Sequence, residues 1–161
     1  MTALDNPTTF PTRLAADRRP IDARGPRFGA GVTTVVLALT LVTVPTTLSL
    51  VLLAAQTLVF ALGAVVGVQA QPYGVLFRTM VRPRLAPATR WEDAAPPRFA
   101  QTVGLGFALV GLLGLVSGAA VVAYVAIGLA LAAAFLNAAF DFCLGCEMYL
   151  LGRRLLAGRA A

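Results

Sequence analysis

The sequence predicts an all-α membrane protein with four transmembrane helices arranged as two hairpins. Three observations support this fold class: 58% of the 161 residues are hydrophobic, only 12% are charged, and the apolar residues fall into four long runs. A soluble domain has roughly a quarter of its residues charged, and about half that fraction cannot cover a water-facing surface of this size. At about 20 apolar residues per crossing, the chain has room for about four spans.

Charged and polar segments divide the chain into three parts. Residues 1–20 are predicted to form a mobile N-terminal tail, because they are polar and lack the apolar stretch of a signal peptide. The four-helix transmembrane domain is predicted over residues 21–152. The remaining residues, 153–161, are predicted to form a basic C-terminal tail.

Each hairpin joins two apolar runs through a short turn. The first run ends at Pro45, and the third and fourth runs meet at Ser117 and Gly118. In the second run Gly63 and Gly67 lie four residues apart, a spacing that allows two helices to pack closely in lipid. The predicted spans are 28–44, 48–70, 99–117 and 119–140.

The loop between the hairpins, residues 71–98, combines five Arg with five Pro. Four of its apolar residues recur at helical spacing, which predicts a short interfacial helix. These residues are Tyr73, Leu76, Phe77 and Met80. Trp91 is expected at the level of the lipid headgroups, and the prolines predict an extended course for the rest of the loop. No segment of the chain is predicted to be a β-strand.

The distribution of Arg predicts the orientation of the helices. All 13 basic residues are Arg: five precede the first span, five lie in the central loop and three follow the fourth span. Under the positive-inside rule, both termini and the central loop are predicted to be cytoplasmic in a multi-pass protein of the inner (plasma) membrane. The net charge of +6 is then a consequence of topology, so the lipid bilayer, and not nucleic acid, is the expected partner.

The two hairpins show signs of an internal repeat. Segments 26–28 and 97–99 both read Pro-Arg-Phe, each opens a hairpin, and they lie 71 residues apart. Gly74 and Gly145 match at the same offset. Each half would then consist of two spans followed by a short element, and the halves would be related by an axis along the membrane normal.

One motif carries reactive chemistry. The only cysteines, Cys143 and Cys146, form a Cys-Leu-Gly-Cys segment just after the fourth apolar run. Two thiols at this spacing suit a reversible disulfide, half of a tetrahedral metal site, or the relay of a sulfur atom. Packing alone is the alternative, because Cys is readily buried. The chain contains no His, which excludes Ser-His catalysis and His-ligated metals or haem.

Three polar residues, Asn137, Asp141 and Glu147, are predicted to neighbour the cysteines. On a continuing helix Asn137, Asp141 and Leu144 share one face, which favours a polar strip leading to the thiols, with interhelical hydrogen bonding as the alternative use of Asn137. A carboxylate at the end of an apolar run requires water or an Arg. An Arg from the central loop would favour a thiolate, whereas Glu147 would oppose it.

The local sequence also bears on the chemistry of the pair. Gly145 is expected to permit the tight turn of a disulfide, and the N-terminal dipole of a following helix is expected to favour a thiolate at Cys146. Two thiolates without His are too few ligands for a zinc site within one chain, so no metal is predicted. On the predicted, reducing cytoplasmic side, a cycling dithiol fits better than a permanent disulfide.

Several motifs follow one another in order around the four spans. They are Ile-Asp-Ala-Arg-Gly-Pro-Arg-Phe at 21–28, Pro-Tyr-Gly-Val-Leu-Phe-Arg at 72–78, Pro-Arg-Phe-Ala-Gln at 97–101, Leu-Asn-Ala at 136–138 and Cys-Leu-Gly-Cys-Glu-Met-Tyr at 143–149. Over about residues 21–152 the chain resembles the bacterial membrane-protein family called domain of unknown function 4395. The family has no assigned activity. Its occurrence beside thioredoxin-like or sulfurtransferase genes implies a partner of one of those kinds.

Two functions are compatible with these residues. The first is a cytoplasm-facing thiol/disulfide or sulfur-relay protein, with Cys143 and Cys146 as the candidate catalytic dithiol. The second is a non-enzymatic membrane scaffold or accessory subunit that docks a cytoplasmic partner through the Arg-rich loop. The choice between them decides whether the chain is an enzyme. No resident cofactor is predicted, and no motif in the sequence indicates a quinone site. The glycine-bearing helices permit oligomers.

Overall fold

The computed structural model describes residues 20–157, and within this range the chain forms six α-helices and two very short strands. The predicted N-terminal tail therefore lies outside the described residues except for Pro20, as do residues 158–161 of the predicted C-terminal tail. The helices are α1 (Arg24–Thr43), α2 (Thr47–Val65), α3 (Pro72–Leu76), α4 (Ala95–Val116), α5 (Ala120–Phe140) and α6 (Leu144–Ala157). The strands are β1 (Ile21–Asp22) and β2 (Trp91–Glu92).

Four of these helices are long and apolar enough to cross a membrane, which confirms the predicted fold class. Helices α1, α2, α4 and α5 contain 20, 19, 22 and 21 residues. At 1.5 Å per residue, each is about 30 Å long, which matches the hydrocarbon core of a bilayer. The protein is thus a multi-pass helical membrane protein.

The helix bounds differ from the predicted spans at one end of the bundle, where α1 and α4 begin and α2 ends. Helices α1 and α4 both begin four residues before the predicted spans, because each has Pro in its first turn, where the missing N–H is not needed. Helix α2 ends at Val65, five residues before the end of its apolar run. Gly67 follows with φ of +107° and no atom within 4 Å of an added Cβ, so it serves the turn, not helix packing.

The four long helices pack in a ring in which α1 contacts α2 and α5, and α4 contacts the same two helices. Small residues bring the backbones close. A Cβ at Gly114 would lie 2.7 Å from the backbone nitrogen of Ala123, and Gly111 faces Leu53 and Ile127. The buried apolar core contains Leu37, Val44, Leu53, Phe60, Ala108, Ala123, Ile127 and Ala130.

The two ends of the bundle differ in charge. At one end the chain turns through Pro45 and through Gly118, and the Tyr124 hydroxyl donates to the carbonyl of Val44 at 3.3 Å. No charged residue occurs in these two turns. The ion pairs Arg24–Asp22, Arg90–Glu92 and Arg90–Asp141 lie at the opposite end, hereafter the Arg-rich end. Its location in the cytoplasm remains a prediction.

The central loop contains the predicted short helix and continues it. Helix α3 leads into a π-helical segment, Phe77–Val81, and a 3₁₀ turn, Arg82–Arg84. Phe77 is buried against Phe28, with ring centroids 5.8 Å apart, and Met80 is exposed. The segment therefore packs one face on the bundle and exposes the other.

The prediction that the chain has no strand is wrong for two short segments. β1 pairs antiparallel with β2, with Ile21 opposite Glu92 and Asp22 opposite Trp91. Two-residue strands give no alternating pattern to detect, since the pairing is set by tertiary contacts. The pairing ties the central loop to the start of α1 and brings Arg90 to the Arg-rich end of the bundle.

The structure repeats one arrangement in both halves. Arg27 in the first turn of α1 donates from Nε to the carbonyl of Ala138 at the end of α5, at 3.0 Å. Arg98 in the first turn of α4 donates from Nε to the carbonyl of Ala64 at the end of α2, at 2.7 Å. Each Arg thereby satisfies carbonyls that a helix end leaves without partners.

Candidate functional site

The two cysteines lie at the start of α6 and form a disulfide. Cys143 immediately precedes the helix, Cys146 belongs to its first turn, and their Cα atoms are 5.2 Å apart. The backbone N–H of Cys146 donates to Sγ of Cys143 at 3.3 Å. Both residues are partly buried. The sulfur of Cys143 thus accepts a hydrogen bond from the N-terminus of α6.

A sharp break in the chain positions this pair. Helix α5 ends at Phe140, and Asp141 adopts a left-handed conformation with φ of 57°. The N–H groups of Asp141 and Phe142 then return to the carbonyls of Asn137 and Leu136, at 3.2 and 3.4 Å. The predicted continuous face through Asn137, Asp141 and Leu144 is therefore wrong, because the helix stops between them.

The residue at which α6 begins decides which cysteine sulfur receives a hydrogen bond from the N-terminus of the helix. The sequence predicted the helix dipole to act on Cys146. Since α6 begins at Leu144, Cys143 occupies the position before the helix, where a side-chain acceptor receives the N–H of the third helical residue. The N-terminal partial charge of the helix therefore favours negative charge on Cys143.

Gly145 has a different role from the one predicted. It lies within α6, and a Cβ there would be 2.7 Å from both Cα and Cβ of Ala100 in α4. The glycine therefore allows α6 to pack on α4 and is not required for the turn of the disulfide. Phe99 and Tyr149 extend the same contact, with ring centroids 5.8 Å apart.

A polar pocket of about 290 Å³ at the Arg-rich end brings together all five predicted site residues. Those residues are Asn137, Asp141, Cys143, Cys146 and Glu147. The sequence did not identify its other charged lining residues, which are Arg27, Arg90, Glu92 and Asp93. These come from α1 and the central loop, so only the fold places them next to the disulfide. The catalytic role of the set remains a prediction.

Arg90 is the main charged partner in this pocket. Its guanidinium pairs with the carboxylate of Asp141 at 2.9 Å and with that of Glu92 at 3.2 Å. Asp141 thus has the Arg that its position beside an apolar helix requires. The sequence suggested an Arg from the central loop, but five candidates were equivalent until the strand pairing placed Arg90.

A second, apolar pocket of about 330 Å³ meets the first at four residues that line both, Pro26, Pro97, Asn137 and Cys143. It extends into the bundle between α1, α2, α4, α5 and α6, as far as Thr33 and Leu129. Nothing in the sequence pattern indicated it, because its walls come from five helices. Cys146, in contrast, lines only the polar pocket.

No group of three or more potential metal-ligating side chains occurs in residues 20–157. The two sulfurs are bonded to each other, and the nearby carboxylate of Asp141 is paired with Arg90. A disulfide in the wall of a polar pocket is a group that thiol–disulfide exchange can act on.

Fold and site together define a class: a multi-pass helical membrane protein with a Cys-X-X-Cys disulfide at one end of the bundle. A family model described as domain of unknown function (DUF4395) matches residues 21–154. The chain therefore belongs to this family, which confirms the resemblance seen in the sequence motifs. No curated protein and no solved structure matches the chain.

Proposed function

We propose that this protein is a membrane thiol–disulfide exchange protein that accepts electrons from a soluble dithiol protein at its Arg-rich end. The observation that carries the proposal is the position of the disulfide in the wall of a polar pocket. A thioredoxin-like protein is the partner class that suits this chemistry, and a sulfurtransferase is the alternative. The proposal places this end in the cytoplasm of a cell with the protein in its plasma membrane.

The exchange has two steps that balance in electrons and protons. A partner thiolate attacks Sγ of Cys146, the S–S bond breaks, and Cys143 leaves as a thiolate. The second partner thiolate then attacks the partner sulfur of the mixed disulfide and releases Cys146, which takes up a proton. The partner dithiol is thereby oxidised to a disulfide, and the Cys143/Cys146 pair is reduced.

The geometry supports this direction of attack. Cys146 faces only the polar pocket, whereas Cys143 also borders the apolar one. The leaving sulfur, Cys143, accepts the N–H of Cys146 at the N-terminus of α6, which stabilises its negative charge. Arg90 adds positive charge to the pocket, although its pairs with Asp141 and Glu92 reduce that effect.

A redox titration tests the proposal. The purified protein is equilibrated with reduced and oxidised glutathione at a series of ratios, quenched in acid, alkylated and weighed. We expect a reversible transition between two alkylated thiols and none, which disappears in Cys143→Ser and Cys146→Ser. A pair that stays fully reduced or fully oxidised across all ratios would refute an exchange function.

A trapping experiment tests the order of attack. A thioredoxin that lacks its resolving cysteine is incubated with the wild-type protein, and the mixed disulfide is mapped by peptide mass. We expect the link at Cys146, and a link predominantly at Cys143 would contradict the proposed order. A persulfide on either sulfur would instead favour sulfur relay.

A scaffold function is the second candidate, and exposed arginines favour it. Arg78, Arg82 and Arg84 are all exposed on the central loop, and Arg82 stacks on the exposed ring of Trp91. Such a surface can bind an acidic protein or anionic lipid. Replacing the three arginines with Gln would abolish docking of that kind, while replacing both cysteines would leave it unchanged.

A further inference from the structure

The apolar pocket has the size and lining of a small-molecule site. Its volume of about 330 Å³ lies within the range of roughly 300–1,000 Å³ that is usual for such sites. Most of its wall is aliphatic or aromatic. The lining that bears on the argument consists of Thr33, Phe60, Gln101, Leu129, Asn137 and Cys143.

The outer rim of this pocket lies on the lipid-facing surface of the bundle. Leu129, Leu144 and Met148 line the pocket, and these residues are 52%, 44% and 50% exposed. Helices α4 and α5 are tightly packed at the other end of the hairpin, where Gly114 meets Ala123. The pocket therefore opens sideways towards the hydrocarbon, where a lipid-soluble ligand is concentrated.

Three polar side chains interrupt the apolar wall of the pocket: Thr33, Gln101 and Asn137. Asn137 also lines the polar pocket, next to Cys143. A hydrocarbon chain offers such side chains no hydrogen bond, whereas a ring bearing oxygen atoms does. An amide can donate to a carbonyl and accept from a hydroxyl.

Cys143 joins the two pockets. It lines both the polar pocket, where a soluble partner would bind, and the apolar one. We propose that the apolar pocket binds the ring of a lipid-soluble quinone, which takes two electrons from the reduced cysteine pair. This inference rests on the proposed exchange function, which supplies the reduced pair.

The step balances with one proton from water. The Cys143 thiolate and the Cys146 thiol lose two electrons and form the S–S bond, and the thiol releases its proton. The two carbonyl oxygens of the quinone gain these electrons and two protons, one from Cys146 and one from water, and become the hydroxyls of a quinol. The quinol then leaves through the lipid-facing rim, and the regenerated disulfide is ready for the next soluble dithiol. Electrons thereby pass from a water-soluble donor to the membrane.

The test uses the full-length protein in phosphatidylcholine nanodiscs. The protein is reduced, freed of reductant and mixed anaerobically with decyl-ubiquinone, whose fully substituted ring offers no position for thiol addition. Quinol formation is followed by absorbance, and the thiols are counted by alkylation and mass. We expect one quinol for each disulfide formed, and no quinol with Cys143→Ser.

Two variants of neighbouring residues localise the reaction. Ala133 lines the pocket, whereas Ala132 is exposed on the same helix and does not line it. Ala133→Phe should slow oxidation by the quinone at least about tenfold, the equivalent of 1.4 kcal/mol, and Ala132→Phe should not. Both should be oxidised by glutathione disulfide at the wild-type rate, which shows that each variant is folded.

The outcomes separate the two proposals. A protein that exchanges with glutathione but is not oxidised by the quinone would overturn the quinone inference alone, as expected if lipid chains fill the pocket. Equal quinone rates in Ala133→Phe and the wild type would also overturn it, because the reaction would then occur elsewhere. A protein that does not exchange with glutathione at all would overturn the proposed function itself.

Discussion

The two halves of the molecule share a framework and differ in chemistry. Each half has two long helices followed by a shorter one, and the start of each half is fixed in the same way. Asp22 accepts the backbone N–H of Arg24 at 3.1 Å, and Asp93, 71 residues later, accepts that of Ala95 at 3.0 Å. The resemblance is therefore structural as well as sequential.

The short helices pack on the two hairpins in similar ways. In each half a Pro-Arg-Phe segment contributes its ring to the contact, Phe28 with Phe77 and Phe99 with Tyr149. The close approach of a glycine differs between the halves: a Cβ at Gly145 would overlap Ala100 in α4, whereas one at Gly74 would overlap the carbonyl of Val68 in the turn just before α3. These contacts position the short helix on each side.

The difference lies at two positions. Offset by 71 residues, Pro72 and Val75 stand in the first half where Cys143 and Cys146 stand in the second. The first half instead holds a hydrogen-bond chain in which the Tyr73 hydroxyl donates to Gln56 at 2.8 Å. The first half thus packs its short helix against the bundle without a disulfide.

The largest expected effect is the loss of thiol exchange when both cysteines are replaced. We expect the double variant Cys143→Ser/Cys146→Ser to lose thiol exchange completely, because the chain has no other cysteine. Its free energy of unfolding should fall by about 2 kcal/mol at most, since the disulfide closes a very short loop. Thermal unfolding in detergent measures this, and failure to fold would show that the disulfide is structural.

A side chain at Gly145 should push α6 away from α4. Gly145→Ala places a methyl group 2.7 Å from the backbone of Ala100, so we expect a loss of about 1–3 kcal/mol in stability and slower thiol exchange. Gly152 in the same helix has no atom within 4 Å of the added Cβ. Gly152→Ala should therefore stabilise the protein by about 0.5–1 kcal/mol, and equal destabilisation by both variants would contradict the proposed contact.

The two arginines test whether the halves are energetically equivalent. Arg98→Gln removes hydrogen bonds at 2.7 and 2.9 Å from a partly buried side chain and should cost about 2 kcal/mol. Arg27→Gln removes longer bonds from an exposed side chain, at 3.0 and 3.4 Å, and should cost less. However, only Arg27 lines the disulfide pocket, so its loss should alter the exchange rate more. The reverse ranking in either assay would contradict this division.

The smallest expected difference in stability concerns Asp22 and Asp93, which occupy equivalent positions in the two halves. Hydrogen bonds from the Arg24 guanidinium hold the pKa of Asp22 below its ordinary value, whereas Asp93 is exposed. Because the folded-state pKa is lowered, this stabilisation is present above the unfolded pKa of about 3.9 and is lost as the pH falls further. Asp22→Ala should cost about 1 kcal/mol at pH 7 and weaken acid dependence, and Asp93→Ala should cost less. Identical acid unfolding of Asp22→Ala and the wild type would contradict this.

Local sequence sufficed for part of the fold and site. The spans follow from apolar runs, and Asn137, Asp141 and Glu147 lie within six residues of Cys143 along the chain, so their proximity is a matter of short-range geometry. The left-handed turn at Asp141 was missed because Asp adopts it only when the surrounding contacts require it. The sequence placed both cysteines before the C-terminal helix, whereas this helix begins at Leu144 and includes Cys146.

Contacts between distant segments account for the rest. Arg90 reaches Asp141 across 51 residues because a two-residue strand pair fixes the loop. Gln101 was one of several polar residues within the spans, and only the packing of five helices places it in a pocket beside Cys143. No periodicity in a single segment encodes such a cavity.

The most direct test of the central claim is the intact mass of the protein from cells quenched in acid and alkylated at once. Cys143→Ser and Cys146→Ser serve as references for the loss of each sulfur. We expect a mixture of disulfide and dithiol forms in growing cells, because the pair cycles between donor and acceptor. A wild-type protein with two alkylated thiols and no other form would contradict a working dithiol and favour the scaffold.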